Sequence, residues 1–324
     1  MFNLSLITRA KDDKLHSTIY WGNNTQLTYS GKIDAIASFR QDSLKRVLHT
    51  RVDIQPSQVI LNDTTWNIHP ATVDIAKDSI EIHDFLFEHR DQHLKINGRL
   101  GKTEADSCLV DLKNISLLYI MDMIQFHAVR FDGGISGKVH LRHVLEDPVM
   151  EARLDVKDFS LNHALLGRAD ILGSWDKELG GIRLNADIRR DSACTTRVIG
   201  YVSPKMKGLD LHIQAGGTPL SFLQPFVENI FSNVNGSAHG NVRLFGPFSQ
   251  LDLEGKVKAQ MQMKVNILNA TFLASADSVH IASGLFRFQN VRLQDTEGHT
   301  GLANGELRHT KLNEPELTSS AFNN

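Results

Sequence analysis

The sequence lacks most of the features that announce a chemistry. It has two cysteines in 324 residues, Cys108 and Cys194. They have neither CxxC spacing nor a histidine pattern beside them, so they read as isolated structural thiols; a disulfide between them stays open. Neither charge sign dominates: 35 Lys and Arg stand against 37 Asp and Glu, a net charge of −2. A global basic field for nucleic acid is thereby excluded. No apolar run approaches the about 18 residues needed to span a bilayer. The N-terminus, MFNLSLITRAKDDK, has no basic segment followed by a long apolar core, so it is not a signal peptide. Phe2, Leu4 and Leu6 already alternate as in a strand. The chain is therefore expected to begin inside a sheet, either as a fragment or with its export signal elsewhere.

What is present is alternation. Hydrophobic residues make up 41% of the chain, enough for a large core, and charged residues 22%, as in an ordinary folded protein. From Val52 to Phe87 the apolar residues come in pairs spaced by two: Val52/Ile54, Val59/Leu61, Trp66/Ile68, Val73/Ile75, Ile80/Ile82 and Phe85/Phe87. Spacing by two puts both members on one face of a strand, whereas a helix needs i, i+3 or i+4 pairs. The first five pairs recur every seven residues, with Pro56-Ser57, Asn62-Asp63 and Lys77-Asp78 among the turn formers between them. The spacing predicts a meander of very short strands, apolar on one face and polar on the other.

A longer period lies above this one. Gly133-x3-Gly137-x-Val139-x-Leu141 recurs 103 residues on as Gly236-x3-Gly240-x-Val242-x-Leu244. Each copy follows a helix-like apolar segment, Ile115–Phe126 and Leu220–Phe231, the second with Pro219 just before it. A second marker, Asn97-Gly98, returns as Ile199-Gly200 and Asn304-Gly305, at glycine spacings of 102 and 105. Length alone suggests about two domains, but the period gives three modules: 1–112, 113–214 and 215–324. A third helix would begin near residue 320, so the chain reads as ending short of its next module, with a frayed polar tail from Asn313. The expected fold is mostly β: an elongated, curled, largely antiparallel sheet of stacked repeats with two or three short helices. Its apolar face either packs on itself as a filled core or opens as a trough. The residues named for that face are Val52, Ile54, Val59, Leu61, Trp66, Ile68, Val73, Ile75, Ile80 and Ile82, with Phe286 and Phe288 near the other end.

Catalytic patterns are missing. There are 15 histidines, densest at His83, His89 and His93, but no HExxH and no Cys/His pairing, so a solvated face is expected rather than a metal site. There is no GxSxG elbow, and Ser136, beside Gly137, is replaced by His239 in the second copy. No phosphate loop is present, and Gly133, Gly134 and Gly236 are better explained by a bulge or tight corner. Asp74, Glu81, Asp84, Asp155 and Asp187 fall at outward strand positions, with no pair in an apolar setting. No enzyme, cofactor or metal is expected. Ile115–Phe126 is apolar almost all round, so it is either buried against the sheet or in contact with something apolar.

One resemblance follows from the order of these features. Pro219-Leu220-Ser221-Phe222-Leu223-Gln224-Pro225-Phe226 leads to the Gly236/Gly240 repeat, Leu244-Phe245-Gly246 and Leu251-Asp252-Leu253-Glu254-Gly255. After these come Asp277-Ser278-Val279-His280 and Leu293-x-Asp295-x2-Gly298-x5-Asn304-Gly305. With Ala105–Asn114 before the first helix, this succession resembles the C-terminal half of the TamB family in the AsmA-like group, in its long Bacteroidetes form. The resemblance implies a periplasmic β-taco with an apolar trough, anchored in the inner membrane through parts outside this chain and serving outer-membrane biogenesis. The implied partners are phospholipid acyl chains, moved between membranes, and an outer-membrane barrel protein of the TamA or BamA type. A scaffold that pairs strands with unfolded outer-membrane proteins is the alternative.

Overall fold

The structure, a computed structural model, describes residues 2–23, 29–41, 47–123, 130–192, 194–309 and 315–323. Over these described residues it is nearly all antiparallel β with two short α-helices, as the alternation predicts. The chain divides into two compact units, residues 1–115 with 135–154, and residues 116–134 with 155–324.

The first unit opens with β1 (Phe2–Lys11), β2 (Lys14–Asn23) and β3 (Ser30–Gln41), paired in order. Next come β4 (Leu48–Ile54), β5 (Ser57–Leu61), β6 (Thr64–Ile68) and β7 (Ala71–Ala76), then β8 (Ser79–His89), β9 (Gln92–Gly101) and β10 (Ser107–Ser116). The seven-residue meander of very short strands is not what these residues form. Strands β4 and β5 lie end to end beside β3, β4 along Ala35–Gln41 and β5 along Ser30–Lys32. Strands β6 and β7 likewise lie end to end beside β8. Two long strands are each broken at a proline, Pro56 and Pro70, which has no N–H to give to a ladder. At the first break Gln55 N–H donates to Asp34 O at 2.9 Å, and Ser57 Oγ accepts from Asp34 N–H at 3.1 Å. Asn62-Asp63 and Lys77-Asp78 are true hairpin turns, the first with both residues at positive φ. The period of seven was half a strand, not a strand.

Helix α1 (Leu117–Met123) follows β10; residues 124–126 of the expected helix lie outside the described residues. Strands β11 (Phe131–Arg142) and β12 (Val149–Leu161) come next. The second unit then runs as an uninterrupted meander: β13 (Ala164–Asp176), β14 (Gly181–Arg189), β15 (Thr195–Ser203), β16 (Gly208–Pro219), β17 (Phe231–Pro247), β18 (Asp252–Val265), β19 (Ala270–Ala282), β20 (Leu285–Asp295), β21 (Thr300–His309) and β22 (Pro315–Asn323). Each strand from β13 onward pairs with the next in sequence. Between β16 and β17 sit a 3₁₀ turn, Ser221–Leu223, and α2, Gln224–Val227. The second helix is therefore shorter than expected. Pro219 ends β16 instead of opening the helix, Pro225 takes the helix start, and Phe231 already begins β17. Residues 315–323, expected to fray, form β22, which also occupies the place of the expected third helix.

The 103-residue repeat is structural. Gly137 in β11 and Gly240 in β17 have φ of +139° and +147°. A Cβ would lie 2.1 Å from Arg153 O at the first and 2.3 Å from Lys256 O at the second. Both mark the same close approach of backbone to the following strand, which only glycine permits.

Candidate functional site: one apolar sheet face

The cross-strand registers assign every side chain to a face, because directly opposed residues of an antiparallel pair point the same way. In the first unit one row runs Ala37, Val52, Val73, Ile82, Gly98, Cys108. A second runs Leu4, Trp21, Gly31, Val59, Trp66. Thr50, Ile75, Ile80 and Leu100 form a third. The ten first-unit candidates thus share one face, and a bulge at Asp84 (φ +55°) brings Phe85 and Phe87 onto it as well. They do not share one environment. Trp66 is 1% exposed, stacked on Phe87 at 4.8 Å, and Val59 and Ile68 are buried with it. Val52, Ile54, Leu61, Val73, Ile80 and Ile82 are half-buried, and Ile75 is exposed. One patch of the face is a filled core and the rest is open to varying degree.

The second unit repeats the arrangement over more strands. One row is Ile171, Ala186, Val198, Ile213, Val242, Gly255, continued by Ile281 and Phe286. Beside it run Leu184, Gly200, Leu211, Leu244 and Leu253. On the other side lie Ala215, Gly240, Val257, Val279 and Phe288. Apart from Ala186, these residues are half-buried. At one end the face is closed: Val234, Met263, Ala274, Ala276, Val291 and Ala303 form a buried cluster against which Val227 of α2 and Phe231 pack. The Gln224 side chain pins that cover, its Oε1 accepting from Val234 N–H at 2.9 Å and its Nε2 donating to Phe231 O at 3.0 Å. Phe286 and Phe288 therefore sit on the open and the closing side of one continuous face. Ile213, Val242, Leu211 and Leu244, its centre, are not among the face residues expected from sequence, where Val242 and Leu244 stand only as markers of the glycine repeat. Their period-two spacing is plain, but they lie outside the regular seven-residue run of Val52–Ile82.

The opposite face carries the ion pairs, with Leu172 and Ile199 exposed among them. Arg197 Nε donates to Asp187 at 2.8 Å, Arg243 grips Asp210 with two bonds of 2.8 Å and Glu254 with a third, and Arg287 reaches Glu306 at 2.8 Å. The arginine bonds hold the Asp187 and Asp210 carboxyls below the usual carboxylate range, and Arg243 is correspondingly raised. Exposed pairs of this kind contribute about 0–1 kcal/mol each, so they keep the face soluble more than they hold the fold.

The remaining candidates have structural partners. Ser136 Oγ accepts from Asn114 N–H at 2.9 Å. His83 lies 3.6 Å from Asp74, His89 Nδ1 is 2.7 Å from Thr65 O, and His93 is 3.2 Å from Asp111. The three histidines are not brought together, and among the described residues no group of three His, Cys, Asp or Glu is placed to hold a metal. Cys108 and Cys194 are free, buried, and pushed up in pKa by that burial. No helix among the described residues is long and apolar enough to cross a membrane.

The class these features define is an antiparallel β-sheet protein built on an internal repeat, with one apolar and one ion-paired face in each unit. Comparison with family models, with curated proteins and with solved structures yields no match.

Proposed function

We propose that the chain is a non-catalytic segment of a periplasmic protein of outer-membrane biogenesis, in which the apolar sheet face carries phospholipid acyl chains between membranes. The observation that supports this is the apolar row from Ile171 to Phe286, half-buried except at Ala186, which runs over eight strands. Moving one CH₂ into water costs about 0.8 kcal/mol, so a 16-carbon chain faces a barrier on the order of 12 kcal/mol in an aqueous compartment. A face that binds at every step about equally lowers that barrier and still lets the chain leave. The likeness to the TamB family, carried by the order of repeat markers, supports the same reading and implies an inner-membrane anchor and an outer-membrane barrel partner beyond this segment.

A photo-crosslinking residue at Ile82, Val242 or Phe286, in the chain expressed in the periplasm of a bacterial host, tests it. Lipid adducts are expected there and not at the exposed polar-face position Lys256. Substituting Ile54→Asp or Ile82→Asp should remove the adducts and leave a folded protein. Absence of lipid at all three apolar positions sinks the reading. Protein adducts at strand edges in place of lipid favour the scaffold alternative.

A further inference from the structure

Between β16 and β17 the chain leaves the sheet at residues 220–230 and loops back over the apolar face as a strap. Each of its roots is a bulge at positive φ, Gly217 at +84° on β16 and Asn233 at +54° on β17. Pro225 has no N–H to give a ladder, and the strap forms a 3₁₀ turn and the short α2 instead. What it covers is more buried than the strap itself. Val234 is 3% and Met263 8% exposed in the cluster against which Val227 packs, whereas no residue from Ser221 to Ile230 is buried. Side chains tie it down. Gln224 holds Val234 N–H and Phe231 O, Asn266 Nδ2 donates to Glu228 O at 2.7 Å, and Asn162 Nδ2 to Phe222 O at 3.4 Å. At the far root Asn266 N–H donates to Ile230 O at 3.0 Å.

We propose that the strap is a hinged cover on the apolar face, held shut by Gln224 and displaced by an acyl chain. What displaces it rests on the acyl-chain reading above; the hinge does not. Val279 and Phe288 belong to the half-buried row and also pack against the covered cluster. Lifting the strap therefore extends the open row onto Met263, Ala274 and Ala303 without rearranging the sheet. An acyl chain binds the lifted state and not the shut one, in which Val227 holds the floor, so lipid shifts the balance towards opening. Gln224 sets that balance, because both of its bonds break as the strap lifts and Val234 N–H loses its partner. The clasp belongs to this copy of the repeat alone: 103 residues earlier the position is Met121, which cannot make either bond.

Hydrogen exchange on the 324-residue chain without lipid tests the hinge. The Val234 and Asn266 amides, bonded at opposite ends of the strap, are expected to exchange together through an opening that leaves β14 and β15 protected. Gln224→Ala should speed Asn266, which the side chain does not touch, by at least about tenfold, circular dichroism being unchanged. Gln224→Glu keeps the acceptor for Val234 N–H and should speed it less. A diazirine residue of methionine's size at Met263, in the chain expressed in the periplasm of a bacterial host, tests what enters. Lipid adducts are expected there in higher yield with Gln224→Ala, while the yield at Val242 in the open row stays the same. Val234 and Asn266 exchanging only with the whole sheet, or no effect of Gln224→Ala on Asn266, overturns the proposal. Lipid at Val242 but never at Met263 overturns it too, and leaves the conduit reading standing. Lipid at neither position, with the hinge opening as expected, overturns the acyl chain as the displacing ligand and the conduit reading with it.

Discussion

Asn304 Oδ1 accepts a hydrogen bond of 2.7 Å from the backbone N–H of Asn290, across β20 and β21, where Asn290 has a φ of +52° and β20 carries a bulge. The first marker holds the same device: Asn97 Oδ1 faces the N–H of Asp84, also at positive φ in a bulge of β8, at 3.5 Å. At the middle marker the residue before the glycine is Ile199, and the register of β14 with β15 runs without a shift. The asparagine of the marker thus accompanies the bulge, and where the asparagine is absent the bulge is absent too. Replacing Asn304 by alanine is expected to lower stability by about 0.5–1 kcal/mol, at the low end because water can reach the freed N–H. Asn97→Ala should cost less, its bond being at the limit of a hydrogen bond. Denaturant midpoints of the two variants, with hydrogen exchange at the Asn290 amide, check the order.

The split of the apolar face into a filled patch and an open remainder gives a contrast between two positions. Trp66→Ala removes a side chain 1% exposed and stacked on Phe87, and is expected to cost about 3–5 kcal/mol. Ile75→Asp, on the same face but 39% exposed, should change stability by less than about 1 kcal/mol. Equal losses at the two sites would mean that the face is packed throughout, and the conduit reading would lose its support.

Period-two alternation made the β class, the face of each candidate and the glycine repeat readable from sequence, because a pleated strand has no other way to place side chains. The strand lengths were not readable. Pro56 looks like a turn, and only the pairing of both flanking segments with β3 shows it to be an interruption within one strand. Nor could periodicity tell Trp66 from Ile75: both alternate correctly, and their burial depends on the side chains that pack on them, Phe87 in the case of Trp66. Gln224 carries no sequence signal at all, since its role comes from two backbone groups of β17 that the register brings beside it.

Asp106 should make the β9–β10 connection acid-sensitive. Its Oδ2 accepts from both the backbone N–H and the hydroxyl of Thr103, each at 2.8 Å, and Arg99 lies 3.1 Å away. The Thr103 bonds, ahead of the Arg99 charge, hold its carboxyl below the ordinary aspartate value. A depressed folded-state pKa contributes stability above the unfolded value, about 3.9, and that contribution is lost as pH falls through the folded value. Wild type should therefore lose stability below about pH 4 more steeply than Asp106→Asn. At neutral pH the variant should be the less stable of the two. Thermal unfolding of both across the acid range gives the comparison, and parallel curves would exclude Asp106 as the group responsible.

The two copies of the glycine pair make the sharpest structural prediction, because sequence identity and backbone geometry coincide at sites 103 residues apart. Gly137→Ala brings a Cβ to 2.1 Å from Arg153 O at φ +139°, and Gly240→Ala brings one to 2.3 Å from Lys256 O at φ +147°. Those contacts are with backbone, so no rotamer relieves them, and the positive φ adds strain of order 1–3 kcal/mol. Each substitution should destabilise by about 2 kcal/mol or more, and the two by similar amounts. Because the sites belong to different compact units, Gly137→Ala should raise hydrogen exchange first around β11 and β12, and Gly240→Ala first around β17 and β18. If one glycine tolerates alanine and the other does not, the repeat is a likeness of sequence without a shared structural role. If both resist it and open different regions, the repeat is the unit by which the sheet is built.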